Sequence, residues 1–192
     1  MEDALSDADA VRQSLREPAR FALVYDRYVV AVHAYLRRRV GDEIAEDLTA
    51  EAFVRAFRGR TRYRAQHETA LPWLLGIASN LIGDHRRAER RRLAMLERLA
   101  RDTPAADPQR ETPGLSPELV RALRRLPAAD RDALLLVAWG ELSYEETACA
   151  LAVPIGTVRS RIARARSRLS AIEDLIAAPV AFPAITQGEH HA

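Results

Sequence analysis

Apolar positions in this chain recur at three- and four-residue steps for most of its length, which is the period of helices with one buried stripe. The first such run extends from Phe21-Ala22-Leu23-Val24-Tyr25 to Tyr35-Leu36 and is broken at Gly41-Asp42. A second helix is predicted from about Glu43 to Phe57, with Ile44, Leu48, Phe53 and Phe57 inward and Glu46, Asp47 and Glu51 outward. Gly59 to Thr69 lacks the period and reads as a polar, basic loop carrying Arg60, Arg62, Tyr63 and Arg64. A long third helix starts near Ala70-Leu71-Pro72-Trp73, where Pro72 suits a first turn, and runs through Asn80, His85, Arg86 and Arg87 to Arg90-Arg91-Arg92. Residues 101–117 hold four prolines and no apolar period, as an extended linker would. Periodicity then resumes from Leu119 to Leu126 and, after Pro127, from Asp130 to Trp139.

The most informative stretch follows. Ser143 with Glu146 three residues on is a capping-box start, so Tyr144 to Leu151 reads as a short helix. Val153-Pro154-Ile155-Gly156 forms a turn that Pro154 prevents from continuing that helix. In the next helix Val158, Ile162, Ala165 and Leu169 share one face, while Thr157, Arg159, Ser160, Ala163, Arg164 and Ser167 fall around the other. That outer face mixes hydroxyls with guanidiniums and has no acid, which suits a helix lying in a DNA major groove. The competing reading is a solvated surface, although such surfaces normally mix both charge signs. Two helices with this turn define a helix-turn-helix without saying which kind.

The fold class expected is all-α: two small helical domains on a Pro-rich tether, without strands or repeats. The boundaries expected are 1–17 for an acidic N-terminal extension, 18–97 for the first domain and 98–117 for the linker. The second domain takes 118–172 and an Ala/Pro tail 173–192. Disorder is the simpler account of both the extension and the tail.

Composition changes this picture in three places. The net charge of +2 conceals an uneven distribution: residues 1–19 hold five acids against two arginines, whereas Val153 to Ala171 holds five arginines and no acid. All 29 basic residues are arginine, the better reader of base edges and phosphates. Cys149 is the sole cysteine, which excludes an intramolecular disulfide and a multi-cysteine zinc site, and it reads as a small core residue. No run approaches the roughly 20 apolar residues that span a bilayer, and the acidic start is unlike a signal peptide. A soluble, cytoplasmic protein is expected.

The motifs together resemble a known family. Leu126-Pro127-Ala128-Ala129-Asp130-Arg131, Gly140-Glu141-Leu142-Ser143-Tyr144-Glu145-Glu146 and Pro154-Ile155-Gly156-Thr157-Val158-Arg159-Ser160-Arg161 resemble region 4 of bacterial RNA polymerase sigma factors of the sigma-70 family. The nearest class is the extracytoplasmic-function (ECF) one. Ala45 to Phe57 is similar to its region 2.2, and Pro72 to Arg87 to its regions 2.3 and 2.4, in the family's order and over roughly residues 18–172.

The resemblance implies a transcription initiation factor that binds core RNA polymerase, helps melt the −10 element through region 2 and reads the −35 element through region 4. It assigns Thr157, Arg159, Ser160, Arg161 and Arg164 to the −35 element. It assigns Tyr63, Arg64, Trp73, Asn80, His85, Arg86 and Arg87 to the −10 element, a mixture of stacking platforms, edge readers and cations that unstacked bases need. Trp73 by itself reads as core ahead of a base contact, so Asn80 and Arg86–Arg87 rank above it. Ile44, Glu46, Asp47, Leu48 and Glu51 would dock on the clamp helices of the polymerase beta-prime subunit, with the beta flap as a further partner for the factor and an anti-sigma factor a possible third protein. Two departures bear on detail: Ala163, where some relatives have a bulkier residue, and Gly76, where many carry Arg.

The alternative is a free-standing helix-turn-helix regulator, which has no use for the segments Glu46–Phe57 and Trp73–Arg87. An enzyme is disfavoured: Asp84-His85 and His67-Glu68 lack any HExxH, phosphate-binding or nucleophile motif around them. No cofactor and no metal site are expected.

Overall fold

The computed structural model describes residues 5–99 and 116–176, and among them every regular element is helical. The helices are α1 (Asp7–Ser14), α2 (Ala22–Val40), α3 (Asp42–Gly59), α4 (Leu71–Leu99), α5 (Pro117–Arg125), α6 (Ala128–Ala138), α7 (Tyr144–Leu151) and α8 (Ile155–Ile176). Short 3-10 turns at Pro18–Phe21 and Arg60–Arg62 lead into α2 and out of α3. Gly41 sits at φ +83 between α2 and α3, a left-handed backbone that stops one helix and starts the next without a Cβ penalty.

The N-terminal unit packs α2, α3 and α4 around Val32, Tyr35, Leu36, Ala52, Phe53, Leu74, Ala78 and Ile82. One expectation is overturned here. The predicted acidic extension contains α1, which buries Ala10 and Val11 in this core and is capped by Ser6. Asp7 is likewise buried, which no acidic extension in solvent would show. The reason is nonlocal: eight residues with few apolar positions lack a helical signal, but Asp7 finds partners on α2 and at the start of α4. The N-terminal unit therefore includes residues before 18.

In the C-terminal unit α6 and α7 pack on α8, and α5 covers its far end. Val158, Ile162, Ala165 and Leu169 are all buried, as their spacing predicts. Ser143 and Glu146 form the reciprocal capping box, and α7 ends on Ala152 in the left-handed region at φ 51. Ser143→Ala is therefore expected to cost about 1 kcal/mol, read as a lower urea midpoint for the whole chain. Ser116 caps α5 and Pro117 takes its first turn, so both belong to this unit and not to the predicted linker. The remainder of that linker, residues 100–115, lies outside the described residues, as does the tail beyond Ile176.

The two units touch. Leu136 and Leu142 are buried in the N-terminal core, and α7 lies directly against α4. Trp139 and Leu151 bridge both cores. Among the described residues no helix is long and apolar enough to cross a membrane, and no three His, Cys, Asp or Glu side chains are placed to hold a metal ion.

Candidate nucleic-acid interface

On α8 the burial of the apolar stripe fixes the opposite face outward. Arg159 and Ser160 are exposed, and the Ser160 hydroxyl donates to the Thr157 carbonyl at 3.0 Å. Thr157 and Arg161 are half-buried at the edges of that face. Arg164 behaves differently. Its Nε and Nη2 donate to the two oxygens of Asp130 at 3.2 and 2.8 Å, and Arg168 approaches the same carboxylate at 3.9 Å. Asp130 is buried on α6, and its hydrogen bond holds the Arg164 guanidinium above its ordinary pKa. The arginine face between Thr157 and Ser167, which holds no acid of its own, thus receives one from beneath. Among the described residues no acid engages Arg159, Ser160 or Arg161, whereas Arg164 is committed to a structural pair.

On α4 the candidates separate by environment. Trp73, Asn80 and Arg87 follow one another at helical spacing on one stripe, with Gly76 and Gly83 between them. Asn80 and Arg87 are exposed, and Arg64 is exposed in the loop before the helix. Trp73 packs against Tyr63 with ring centroids 4.7 Å apart and the planes tilted by 47°, and both are half-buried against the core. Burial pushes the Tyr63 phenol upward. Arg87 donates to Asp84 at 2.6 Å, and Asp84 also accepts from Arg55 of α3 at 3.0 Å. Those two hydrogen bonds lower the Asp84 carboxyl. His85 is half-buried. Arg86 turns inward instead, toward the Arg39 carbonyl at 3.5 Å. Burial, then the charges of Arg131 and Arg39, pull its pKa down to about 10. The structure therefore brings Tyr63, Trp73, Asn80 and Arg87 to one side and places Arg86 on another.

On α3 the acids Glu46 and Asp47 are exposed, and Ile44 and Leu48 are half-buried against the core. Glu51 is engaged by Arg55 at 2.8 Å, four residues on. Next to this acidic rim lie exposed apolar groups that periodicity assigned no role: Val54, and Tyr25 of α2, which meets Phe53 edge-on at 4.8 Å. Acids with apolar neighbours form a docking face of mixed character.

Several working contacts are not foreseen in the sequence, including one at Cys149, which reads there as a small core residue. Arg39 is buried, donates to Asp132 at 2.5 Å and to the Tyr35 hydroxyl at 2.6 Å, and Tyr35 lies 2.9 Å from Ser79. Cys149 is half-buried and donates its thiol to Gln66 Oε1 at 2.9 Å, linking α7 to the basic loop, and burial raises its pKa. Asp130 and Asp132 sit two apart on α6, and the sequence alone assigns no role to either carboxylate.

Comparison with known proteins identifies both helical units. Residues 24–92 match the family model described as Sigma-70 region 2, and residues 116–169 match Sigma-70, region 4. The ECF RNA polymerase sigma factor SigC of Mycobacterium tuberculosis is 39% identical over 129 residues, covering 66% of this chain and 69% of that protein. The ECF RNA polymerase sigma-E factor of Haemophilus influenzae is 32% identical over 184 residues, covering 88% and 96%. The sigma factor RpoE of Bartonella quintana, solved with the anti-sigma factor NepR, superposes with a TM-score of 0.58 at 25% identity, covering 83% of this chain and 98% of that one. CnrH, solved with the cytosolic domain of CnrY, gives 0.62 at 24% identity over 88% of this chain and 97% of that one, a likeness of fold.

Proposed function

The chain belongs to the extracytoplasmic-function class of sigma-70 RNA polymerase sigma factors, and from that premise we propose which of its surfaces perform each step of initiation. It is a promoter-directing initiation factor without catalysis of its own, and it works on polymerase and promoter DNA. It acts where its polymerase is, in the cytoplasm. A free-standing regulator is disfavoured, because residues 24–92 match region 2 beside the helix-turn-helix.

Region 4 reads the upstream −35 element with Arg159, Ser160, Arg161 and Thr157, for which guanidinium forks and hydroxyls on one convex face are the fitting chemistry. Region 2 takes the unstacked −10 strand along the α4 stripe. Trp73 and Tyr63 offer the stacking surface, Asn80 the edge reader, and Arg64 and Arg87 the cations, with His85 as a further polar group; Arg86, turned inward, lies off this stripe. The acidic rim Glu46–Asp47 with Ile44 and Leu48, and Glu51 beside it, docks on the clamp helices of the beta-prime subunit, where opposite charge steers association. Region 4 further contacts the beta flap. A protein of the anti-sigma kind is a third partner, a reading supported by RpoE having been solved with NepR.

The observation that carries this is the pair of family matches laid over two helical units with opposite surface chemistry, arginine-rich on α8 and acidic on α3. The test adds purified protein to core polymerase lacking any sigma factor. Co-elution and discrete start sites from a pool of promoter fragments are expected. A protein that shifts duplex DNA alone, yet neither binds core polymerase nor yields transcripts, overturns the assignment.

A further inference from the structure

We propose that Arg39, Arg86 and Arg131, where α2, α4 and α6 meet, form an anion site that takes the diphosphate group of a small phosphorylated ligand. Binding there is read without polymerase or promoter DNA, so it stands or falls apart from the promoter assignments above.

Three helices bring the guanidiniums together. Arg39 lies in the last turn of α2, Arg86 midway along α4 and Arg131 in the first turn of α6. Arg86 Nη2 donates to the Arg39 carbonyl at 3.5 Å, and Arg39 Nη2 donates to Asp132 Oδ1 at 2.5 Å. Arg131 precedes Asp132 on α6, and its Nη1 reaches the carbonyls of Leu123 and Arg124, each at 3.4 Å. Arg90, one helical turn beyond Arg86, and Arg124 at the end of α5 add their charge to Arg131.

The carboxylate that acts on all three arginines is Asp132, and Arg39 already occupies one of its oxygens. The surroundings exclude much of the solvent: the Arg39 side chain is 1% exposed, and Arg86 and Arg131 are half-buried. Burial, then the charges of Arg131 and Arg39, pull the Arg86 pKa down to about 10, as like charges do when too few anions face them. Acceptors are short in the same place. The Nε atoms of Arg39 and Arg131 are buried with no hydrogen-bond partner among the described residues. A buried guanidinium N–H without an acceptor is unfavourable, and an arriving oxyanion would relieve it.

Planar forks converging on one place suit an oxyanion with several acceptor oxygens, which a halide lacks. The excess of positive charge favours a diphosphate over a single carboxylate. Enclosure favours a small ligand over a nucleic-acid strand, whose backbone needs cations displayed along an open groove. Free pyrophosphate and the diphosphate end of a nucleotide share this chemistry.

The test titrates inorganic pyrophosphate into the full-length chain by calorimetry at about 0.15 M salt, where attraction between exposed charges is largely screened. Saturable one-to-one binding is expected. Arg86→Gln and Arg131→Gln should each weaken it by about 10- to 150-fold, the loss of one contact to a charged group. Asp132→Asn should tighten it, because the ligand then meets no competing carboxylate, whereas weakening by that variant would overturn the site. Arg58→Gln, at the exposed end of α3, should leave the affinity unchanged, with helix content by circular dichroism verifying each fold. A second readout needs no variant: the thermal midpoint of the unmodified chain should rise with pyrophosphate and not with chloride at equal ionic strength. Adenosine diphosphate distinguishes the sources. Tighter binding than pyrophosphate identifies a nucleotide, and equal or weaker binding the free anion. No saturable binding of either ligand overturns the proposal, as does equal weakening by Arg58→Gln. If a single-stranded oligonucleotide saturates Arg86 and Arg131 where pyrophosphate does not, the partner is a nucleic-acid backbone and the proposal fails.

Discussion

Replacing Arg159 and Arg161 together by alanine is expected to reduce discrimination for the −35 element by about 30-fold to about 2 × 10⁴-fold. The figure follows from about 1–3 kcal/mol for each good bidentate contact to a base edge. Among the described residues neither arginine has an acid partner, and Arg159 is exposed, so the fold should survive the change. The measurement is holoenzyme binding to a promoter fragment and to one whose −35 element is scrambled. Loss on the first fragment alone identifies base readers. Equal loss on both, with a salt dependence shallower by about one unit per arginine, would mean phosphate contact only and would sink the assignment. Arg164→Ala should behave unlike either. Its guanidinium is committed to Asp130, and removing it leaves a buried carboxylate with only Arg168 at 3.9 Å. That variant is expected to lose stability first and discrimination second.

The contrast between Arg159 and Arg164 shows where sequence reading stops. Helical periodicity places both arginines on the outer face of α8, because a period reports direction around one helix and nothing about its neighbours. Asp130 is 34 residues away and enters through the packing of α6 on α8. The same holds across the molecule. Helix periods, the break at Gly41, the capping box at Ser143 and the buried stripe of α8 were legible because each is set by residues within one or two turns. The α1 helix, the Arg39–Asp132 pair 93 residues apart and the approach of Ala150 to Gly76 were not, since each depends on elements that meet only after folding. Gly76 did register in the sequence, but the Ala150 carbonyl that leaves no room for a Cβ there lies on α7, the opposing helix.

Asp7→Ala is expected to destabilise region 2 by about 3–5 kcal/mol, the cost of removing one partner from a buried ionic network. The Asp7 side chain is 4% exposed and accepts from Arg27 Nη1 at 2.5 Å, from the Tyr28 hydroxyl and from the Ala70 backbone N–H at 2.7 Å. Burial, and then the bond to Asp7, push the Tyr28 phenol well above its ordinary pKa. The Ala70 bond matters most for function. It lies immediately before α4, so a carboxylate 63 residues away caps the N-terminus of the helix that carries Trp73, Asn80 and Arg87. A negative charge there is favoured by the helix dipole as well as by the orphan donor it satisfies. Truncation would leave that N–H buried and unpaired, and Arg27 without its counter-ion. At about 2–4 °C per kcal/mol for a chain of this size, the thermal midpoint should fall by about 6–20 °C. Asp7→Asn keeps an acceptor and should lose less. Because α1 touches region 2 elements, −35 binding by the surviving folded fraction should be unchanged, while capture of a −10 single strand weakens as the start of α4 loosens. A shift of less than about 2 °C would mean that α1 is not held by this carboxylate, and that the first residues of the chain are a solvated extension after all.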